Sequence, residues 1–323
     1  MHQIISLHNL SPQQLKTIQE IAPGYTVTVG KSKDLDPVLL QRAEILIGWS
    51  KVIEQHVLRV DSPLKWIQSW SAGVDKMPLD QFSDKGILLT TSSGVHAVPI
   101  SESIFAMILA FSRGIQQSIQ NQQANRWDSK VGPDGSTTLT ELRGKTIVIV
   151  GVGEIGSETA RIAKAFGMHV LGVRRSGKSD PHVDTMYTME SLHEALSQSD
   201  YIVNILPLTE ETYHMFDTAT FESVKPGACF INVGRGPTVS TDALLEALEK
   251  GILRYAGLDV FEEEPLPTNH PLWSMKQVII TSHISGSTEH YDERVINIFI
   301  DNLKAYIEGK DLPRNLVNYN LKY

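Results

Sequence analysis

Two reactive side chains, Arg235 and His283, each stand directly after a short apolar run that is typical of a β-strand. A third, Glu264, closes an acidic segment that follows another such run. Because the carboxyl ends of parallel strands share one edge of a sheet, we expect the three to converge there. A guanidinium pairs with a carboxylate through two donors, and a carboxylate orients a neighbouring imidazole for proton transfer. Together they predict an anion clamp beside an acid–base pair, although each residue taken singly is as typical of an ordinary solvated position.

A glycine-rich segment lies between the apolar run 146–150 and a stretch with helical spacing of apolar residues. Such a turn brings backbone amides and a helix N-terminus to the phosphates of a dinucleotide. The first glycine would make the tight turn, the second would let a pyrophosphate approach, and the third would let helix and strand pack closely. We therefore predict a dinucleotide site at Gly151, Gly153, Glu154, Ile155 and Gly156.

The end of the next predicted strand bears on the choice of cofactor. A fold that binds NAD(H) carries an acid there, about 20 residues after the glycine turn, for the ribose hydroxyl. This chain instead has Arg174, Arg175 and Ser176 after the run 170–173. Guanidinium groups and a hydroxyl suit a 2′-phosphate, so we predict that NADP(H) is preferred and that NAD(H) is possible. The alternative is a pair of solvated surface arginines.

The scaffold for these residues is an alternation of predicted strands and helices. In the first part of the chain, strands are predicted at residues 4–7, 25–29, 45–47, 64–67 and 87–89, and helices start near residues 11, 36 and 80. A second series has strands at residues 146–150, 170–173, 201–205, 228–233, 255–258 and 278–280. The alternation predicts an α/β protein with two Rossmann-like, doubly wound parallel-sheet domains.

A long helical pattern begins near Pro99 and continues to about Asn125, a length that suits a rod between two lobes. Residues 132–136 read as a loop, and a last helix is predicted at about 289–308. We predict a discontinuous substrate domain of residues 1–99 and 289–323 and a dinucleotide-binding domain of residues 100–288. Periodicity alone does not prove that the last helix returns to the first lobe.

Composition limits the class of protein. The 323 residues suit two domains, and 29 Lys and Arg against 37 Asp and Glu give a net charge of −8, which argues against nucleic-acid binding. No apolar run reaches the length of a membrane span and no secretory signal begins the chain, so we expect a cytoplasmic protein without a membrane partner. The single cysteine, Cys229, excludes an internal disulfide and a Cys-rich zinc site; we expect a packing role for it and no metal.

Several further motifs occur in one order along the chain. They are Ser71-Ala72-Gly73-Val74-Asp75, the glycine-rich turn, Leu206-Pro207-Leu208-Thr209-Glu210-Glu211-Thr212, Asn232-Val233-Gly234-Arg235-Gly236 and Asp259-Val260-Phe261-Glu262-Glu263-Glu264-Pro265-Leu266. Through these motifs the sequence resembles the D-isomer-specific 2-hydroxyacid dehydrogenases, of the glyoxylate/hydroxypyruvate reductase kind, over nearly its whole length. The resemblance implies an NAD(P)H-dependent reductase that converts a small 2-oxoacid to the (R)-2-hydroxyacid, and it implies a homodimer.

The resemblance also implies roles for individual residues. His283 is then the proton donor, Glu264 its partner, and Arg235 the group that binds the substrate carboxylate and polarises the carbonyl. The first lobe contributes substrate contacts from Ser71, Ala72, Gly73 and Val74. Asp259 is expected to hold the nicotinamide carboxamide, and the cofactor cleft is expected to be lined by Leu206, Pro207, Thr212, Val233, Gly234 and Gly286.

Some positions depart from the family pattern or leave alternatives open. Ser282 and Ser285 flank the histidine where the family usually has Pro and Ala, and two neighbours of the catalytic glutamate, Glu262 and Glu263, are expected to stay solvated. No regulatory domain is expected after Tyr323. Whether the substrate pocket includes Trp49, Trp70 and Trp127 is left open. A nucleotide-sensing regulator or corepressor on the same scaffold remains the alternative function.

Overall fold

The computed structural model describes residues 2–74, 77–132, 135 and 137–319, which form two compact units. The first unit comprises Met1–Val95 and Glu289–Tyr323, and the second comprises His96–Thr288. Each unit is built on one sheet of parallel strands with helical connections. The predicted α/β class with two parallel sheets is therefore confirmed, while the functional labels of the two domains stay predictions.

Each sheet is assembled from short strands that follow one another along the chain. The first unit contains β1 (His2–Ser6), β2 (Tyr25–Val29), β3 (Ala43–Ile47), β4 (Trp66–Gln68) and β5 (Leu88–Thr90), paired in the order β2-β1-β3-β4-β5. The second contains β6 (Thr146–Val150), β7 (His169–Val173), β8 (Thr185–Tyr187), β9 (Tyr201–Asn204), β10 (Ala228–Asn232), β11 (Leu253–Leu258) and β12 (Val278–Ile280). These pair in the order β12-β11-β10-β9-β6-β7-β8, so the strand order reverses between β6 and β9. Ligands of open parallel sheets bind outside the carboxyl ends of the strands at such a reversal.

The helices connect successive strands. In the first unit they are α1 (Pro12–Ile21), α2 (Pro37–Leu40), α3 (Glu54–Val57) and α4 (Leu79–Asp84). The second unit contains α5 (Ala97–Ser112), α6 (Ile115–Gln123), α7 (Glu154–Ala165), α8 (Leu192–Ser197), α9 (Thr218–Glu222) and α10 (Thr241–Glu249). The last helix, α11 (Tyr291–Ile307), belongs to the first unit.

Local chemistry explains where these elements begin and which faces they bury. Ser11 caps α1 by accepting the N–H of Gln14, whose side chain returns a bond to Ser11, and Pro12 occupies the first helical position. All five residues of β3 are buried, as expected of a central parallel strand. On α11, Phe299 stacks on Trp66 with ring centroids 4.9 Å apart, which fixes the last helix to the first sheet.

The prediction of one long helix from Pro99 to Asn125 is wrong. Two helices, α5 and α6, occupy this stretch and meet at an angle of 69°. The break is at Gly114, which has φ +66°, and a Cβ there would lie 2.7 Å from the carbonyl oxygen of Val131. A left-handed residue with no room for a side chain ends one helix and redirects the chain.

Among the described residues no single helix is long and apolar enough to cross a membrane. The bent pair of α5 and α6 is long and apolar enough when its two helices are counted together, by length and composition alone.

A seventh strand of the second sheet, β8, was not predicted from the sequence. It has only three residues, none of them fully buried, and it pairs with β7 at the edge of the sheet. Such a short edge strand lacks the apolar run that marks the interior strands. Its effect on the site is direct, because the chain after β7 is anchored to it.

Candidate active site

The glycine-rich turn joins the carboxyl end of β6 to the start of α7. Gly151 has φ +106°, and a side chain there would meet the backbone of Ile205 at 3.1 Å. A Cβ on Gly156 would lie 2.7 Å from the carbonyl oxygen of Gly151, so the helix packs closely against the turn. A Cβ on Gly153, by contrast, would have nothing within 4 Å. Two glycines are thus required by packing within the protein, and the third faces open space.

The start of α7 offers an anion both space and backbone donors. Gly153 is the N-cap residue and supplies no side chain to the first helical amides. Gly153 and Glu154 are exposed, and Ile155 is half-buried. A helix N-terminus without a capping side chain presents N–H groups and the positive end of the helix dipole, which suits a phosphate. The turn therefore fits the pyrophosphate of a dinucleotide, which these three residues would hold.

The turn after β7 carries the residues predicted to select the cofactor. The N–H of Arg174 donates to a carbonyl of β8 at 3.1 Å, and the N–H of Gly177 closes the turn by donating to Arg174 at 3.1 Å. Arg175 and Ser176 at its tip are exposed. The guanidinium of Arg174 reaches the carbonyl of Lys178 only at 3.5 Å, a weak contact that an incoming anion can replace.

Arg235 lies in the loop after β10, where flanking glycines let the chain pass close to its neighbours. A Cβ on Gly234 would lie 2.6 Å from the carbonyl oxygen of Leu206, and one on Gly236 would lie 1.7 Å from that of Phe261. The Arg235 side chain is exposed, and its Nη1 donates to the carbonyl of Gly234 at 2.8 Å. The backbone of the loop is confined while the guanidinium stays accessible to an anion.

A buried polar network that sequence reasoning missed holds this loop in place. Asn204, at the end of β9, donates through Nδ2 to Asn232 Oδ1 at 3.0 Å and to Thr238 Oγ1 at 2.7 Å. Asn232 Oδ1 also accepts the N–H of Gly234 at 3.2 Å, and the Thr238 hydroxyl donates to the carbonyl of Arg235 at 2.6 Å. All three side chains of the network are buried. The available sequence signal was an asparagine at the end of each of two apolar strands.

His283 and Glu264 meet, as their positions after neighbouring strands predicted. His283 Nδ1 lies 2.7 Å from Glu264 Oε2, and Glu264 Oε1 accepts the N–H of Phe261 at 3.0 Å. The backbone of His283 is left-handed, with φ +55°, and its N–H donates to the carbonyl of Asp259 at 2.9 Å. Since Nδ1 faces the carboxylate and about half of the side chain is exposed, Nε2 is the nitrogen left for a ligand.

Asp259 is fully buried and fastens the loop that carries His283. Its Oδ1 accepts the Thr281 hydroxyl at 2.6 Å and the N–H of Ile284 at 2.9 Å. Its Oδ2 accepts the hydroxyl of Ser285 at 2.5 Å and the N–H of the same residue at 3.1 Å. Burial raises the pKa of the Asp259 carboxyl, but these bonds outweigh burial and leave it below its ordinary value. The structure shows this role of Asp259 in holding the loop. The contact of Asp259 with the nicotinamide carboxamide stays a prediction.

Replacing Asp259 by asparagine is expected to lower the free energy of unfolding at neutral pH by about 1–3 kcal/mol, because an amide donor then faces four donors. A lowered pKa means that the carboxylate contributes stability above the ordinary aspartate pKa and that this contribution is lost as pH falls through the depressed folded-state pKa. The difference in unfolding free energy between wild type and Asp259→Asn should therefore shrink in strong acid. A difference that grows on acidification would contradict this assignment.

Glu262 is exposed, as expected, but it also forms contacts that the sequence did not predict. Its Oε1 lies 2.5 Å from His214 Nε2, and its Oε2 accepts the N–H of Thr241 at the start of α10 at 2.5 Å. Burial raises the pKa of Glu262, but these hydrogen bonds outweigh burial and lower it. An unsatisfied helix amide attracts a nearby carboxylate, and periodicity in the sequence gives no sign of such a contact. Glu263 is exposed, as expected.

The other residues predicted to line the cofactor cleft lie in loops of the second unit. Leu206, Val233 and Thr212 are buried, and Pro207 is exposed. The Thr212 hydroxyl donates to the carbonyl of Pro207 at 2.7 Å, which ties together the two ends of that loop. The carbonyl of Gly286 lies 2.9 Å from Nδ1 of His96, the residue before α5.

Within the described part of the chain, no three His, Cys, Asp or Glu side chains are grouped as a metal site requires.

The substrate segment predicted in the first unit follows β4. Ser71, Ala72 and Gly73 are exposed and Val74 is buried, whereas Asp75 of the same motif lies outside the described residues. The segment is tied to the β5 side, because the carbonyl of Ser71 accepts the N–H of Ser92 at 3.2 Å. Its role in substrate binding stays a prediction. The same limit applies to the predicted loop 132–136, of which residues 133, 134 and 136 are outside the description.

The three tryptophans whose role was open have different surroundings. Trp49 packs edge-on against Phe82 with centroids 4.9 Å apart. Trp70 stacks on His8 at 4.0 Å, with the rings within 5° of parallel. Trp127, after α6, is fully exposed. Two of the three therefore have packing partners within their own unit.

The second unit thus has the sheet order, the glycine turn and the ring of loop residues of a dinucleotide-dependent oxidoreductase. The family model of the D-isomer specific 2-hydroxyacid dehydrogenase NAD-binding domain matches residues 105–285. Glyoxylate/hydroxypyruvate reductase B of Escherichia fergusonii is 32% identical over 93% of this chain and 94% of its own length. The chain belongs to the D-isomer specific 2-hydroxyacid dehydrogenase family.

Solved structures agree with this assignment. A D-isomer specific 2-hydroxyacid dehydrogenase family protein from Aeromonas salmonicida is 33% identical, with a TM-score of 0.78 over 98% of this chain and 99% of that one. A D-isomer specific 2-hydroxyacid dehydrogenase from Xanthobacter autotrophicus, solved in complex with NADPH and MES, is 25% identical, with a TM-score of 0.78 over 100% of this chain and 99% of that one. The recognition of the family from sequence is confirmed.

Proposed function

We propose that this protein reduces a small 2-oxoacid, such as glyoxylate, hydroxypyruvate or an aliphatic 2-ketoacid, to the (R)-2-hydroxyacid with NADPH or NADH. The observation that carries the proposal is the 2.7 Å contact between His283 Nδ1 and Glu264 Oε2 in a unit that matches the family's NAD-binding domain. The substrate class is supported by the relative named glyoxylate/hydroxypyruvate reductase B.

In this mechanism the protein binds an anion, positions a carbonyl and delivers a proton. The Arg235 guanidinium pairs with the substrate carboxylate and polarises the adjacent carbonyl. The protonated His283 donates from Nε2 to the carbonyl oxygen as negative charge develops there, while Glu264 holds the ring through Nδ1 and stabilises its cationic form. Bound nicotinamide supplies the hydride. We also assign the backbone of residues 71–74, of which the first three residues are exposed, to the substrate carboxylate, as the family resemblance implies.

Asn204 is expected to act on the reaction by positioning Arg235. Asn204→Ala removes the centre of the buried network, so kcat/KM for the 2-oxoacid should fall by about tenfold or more as the loop loses its fixed geometry. The matched control is Asn302→Ala, which removes an equally buried asparagine that holds Arg314 through two hydrogen bonds in the first unit. Both variants should unfold more easily, and only Asn204→Ala should lose kcat/KM. Equal kinetics in the two variants would refute the positioning role.

Cofactor choice is assigned to the turn after β7. Each charge-assisted contact with a 2′-phosphate contributes roughly 1.5–3 kcal/mol, so Arg174→Ala with Arg175→Ala should raise the KM for NADPH on the order of tenfold or more and leave that for NADH nearly unchanged. Rising salt should erode the NADPH preference of the unmodified protein, because exposed phosphate contacts are screened.

The control for that experiment is Arg113→Ala with Arg143→Ala, which removes the same charge from exposed positions elsewhere in the unit. It should keep the wild-type KM for both cofactors. If the unmodified protein has an equal or better kcat/KM with NADH than with NADPH, Arg174 and Arg175 are solvated surface residues and do not select the cofactor.

We further propose a cytoplasmic homodimer. A large aromatic side chain that is fully exposed, as Trp127 is, is typical of a contact surface, and it lies on the segment that follows α6. The molecular mass in solution, measured by light scattering, decides between this and a monomer.

The proposed function is tested by a panel of 2-oxoacids measured with both NADPH and NADH. An enzyme should consume reduced nicotinamide only when a 2-oxoacid is present. A nucleotide-sensing regulator on the same scaffold should bind the nucleotide and leave every 2-oxoacid unreduced. The second outcome would replace the proposed function by the alternative.

A further inference from the structure

A cavity of about 220 Å³ opens at the amino ends of the strands of the second unit. Its lining includes Lys145, just before β6, Tyr201 at the start of β9, Cys229 in β10, and Arg254 and Tyr255 in β11. Because all these strands are parallel, this edge of the sheet is opposite to the edge from which the loops of Arg235 and His283 emerge. The cavity is therefore separate from the site described above.

The floor of the cavity presents a hydroxyl that no described side chain or backbone group engages. The side chain of Tyr201 is 6% exposed, and its hydroxyl forms no hydrogen bond within the described part of the chain. Burial raises the pKa of the Tyr201 phenol, so the hydroxyl keeps its proton. The hydroxyl therefore faces the cavity as a donor that a ligand or a water can engage.

The remaining polar lining carries an excess of positive charge. The ammonium of Lys145 and the guanidinium of Arg254 form no hydrogen bond or ion pair with other described residues. The one acid of the lining, Asp200, is already engaged: Oδ1 lies 2.7 Å from Lys225 Nζ, and Oδ2 accepts the N–H of Thr146 at 2.9 Å. Lys145 also attracts this carboxylate at longer range, so Arg254 is the cation that remains for an anion from outside, with Lys145 beside it.

One wall of the cavity is aromatic. The rings of Phe111 and Tyr255 stack with centroids 4.5 Å apart, at an angle of 17°. We propose that this cavity is a second binding site, which takes a small carboxylate with a flat apolar body. The carboxylate would accept from Arg254, Lys145 and the Tyr201 hydroxyl, and the apolar body would lie against the aromatic wall.

The proposal is tested on the full-length protein with benzoate as the probe and benzamide as its uncharged counterpart of the same shape. Titration calorimetry should show benzoate binding at this site in the millimolar range, as expected of a small ligand, and no measurable binding of benzamide. Arg254→Ala should weaken benzoate binding by at least about tenfold, because a charge-assisted pair is lost. Arg143→Ala removes the same charge from an exposed position outside the cavity and should leave the affinity unchanged.

A variant outside the cavity separates the two positions at which benzoate could bind. Arg235→Ala should keep the wild-type affinity for benzoate, because Arg235 lies at the opposite edge of the sheet, whereas Arg254→Ala should lose it. This comparison separates the cavity from a carboxylate bound at Arg235. Equal benzoate affinity in wild type and Arg254→Ala would overturn the proposal, as would a benzamide affinity equal to that of benzoate. Absence of measurable benzoate binding would also overturn it. None of these outcomes depends on whether 2-oxoacids are reduced.

Discussion

His283→Ala is expected to lose most of the reductase activity at every pH, because in the proposed mechanism this histidine gives the proton to the substrate oxygen. General acid catalysis contributes about 10²–10⁴-fold, so kcat should fall within that range while cofactor binding is kept. Glu264→Gln keeps an acceptor for Nδ1 but removes the charge that stabilises the cationic ring, so a smaller loss is expected.

The matched control for this experiment is His290→Ala. His290 is about as exposed as His283 and also lies beside acidic side chains, but it belongs to the first unit just before α11. Its replacement should leave kcat within a factor of about two, as is typical of a surface substitution. Near-normal turnover in His283→Ala would remove the histidine from the mechanism.

Arg235→Lys is expected to lower activity less than His283→Ala but still strongly, although the positive charge is kept. A lysine offers a single flexible ammonium where the guanidinium offers two parallel donors, so the substrate carboxylate loses its fixed orientation. We expect kcat/KM for the 2-oxoacid to fall on the order of 10–100-fold, equivalent to roughly 1.5–3 kcal/mol. The dissociation constant for NADPH should stay unchanged.

Arg113→Lys is the control for that variant, because Arg113 is exposed and its Nη1 donates to the carbonyl of Thr140 at 3.3 Å. Its kinetics should match the wild type. If Arg235→Lys binds NADPH as well as the wild type and also reduces 2-oxoacids at the wild-type rate, Arg235 is not the carboxylate clamp.

Much of the fold followed from the sequence because parallel α/β proteins carry strong local signals. Apolar runs place the interior strands to within two residues of their observed ends, and Ser11-Pro12 marks the start of α1. The glycine turn was predictable for the same reason, since the atom that excludes a Cβ at Gly156 is the carbonyl oxygen of Gly151, five residues earlier in the chain. The pairing of His283 with Glu264 followed from their positions after neighbouring strands.

The features that the sequence did not predict are the break between α5 and α6 and the hydrogen bonds that hold the functional loops. They depend on backbone conformation or on contacts between residues far apart in the chain. The apolar periodicity of α5 continues across Gly114, so only the left-handed backbone there reveals the break. Asn204 and Thr238 are 34 residues apart, and their bond forms only when β9 and β10 pair. Glu262 meets His214 over 48 residues. Such contacts have no period along the sequence, and they determine how firmly the functional loops are held.

The most direct measurement of the central proposal is the product formed from hydroxypyruvate and NADPH by the purified protein. One (R)-glycerate is expected for each NADPH oxidised, and His283→Ala should form it at least about 100-fold more slowly under the same conditions. Formation of the (S)-product, or nucleotide binding without oxidation of NADPH by any 2-oxoacid, would contradict the proposal.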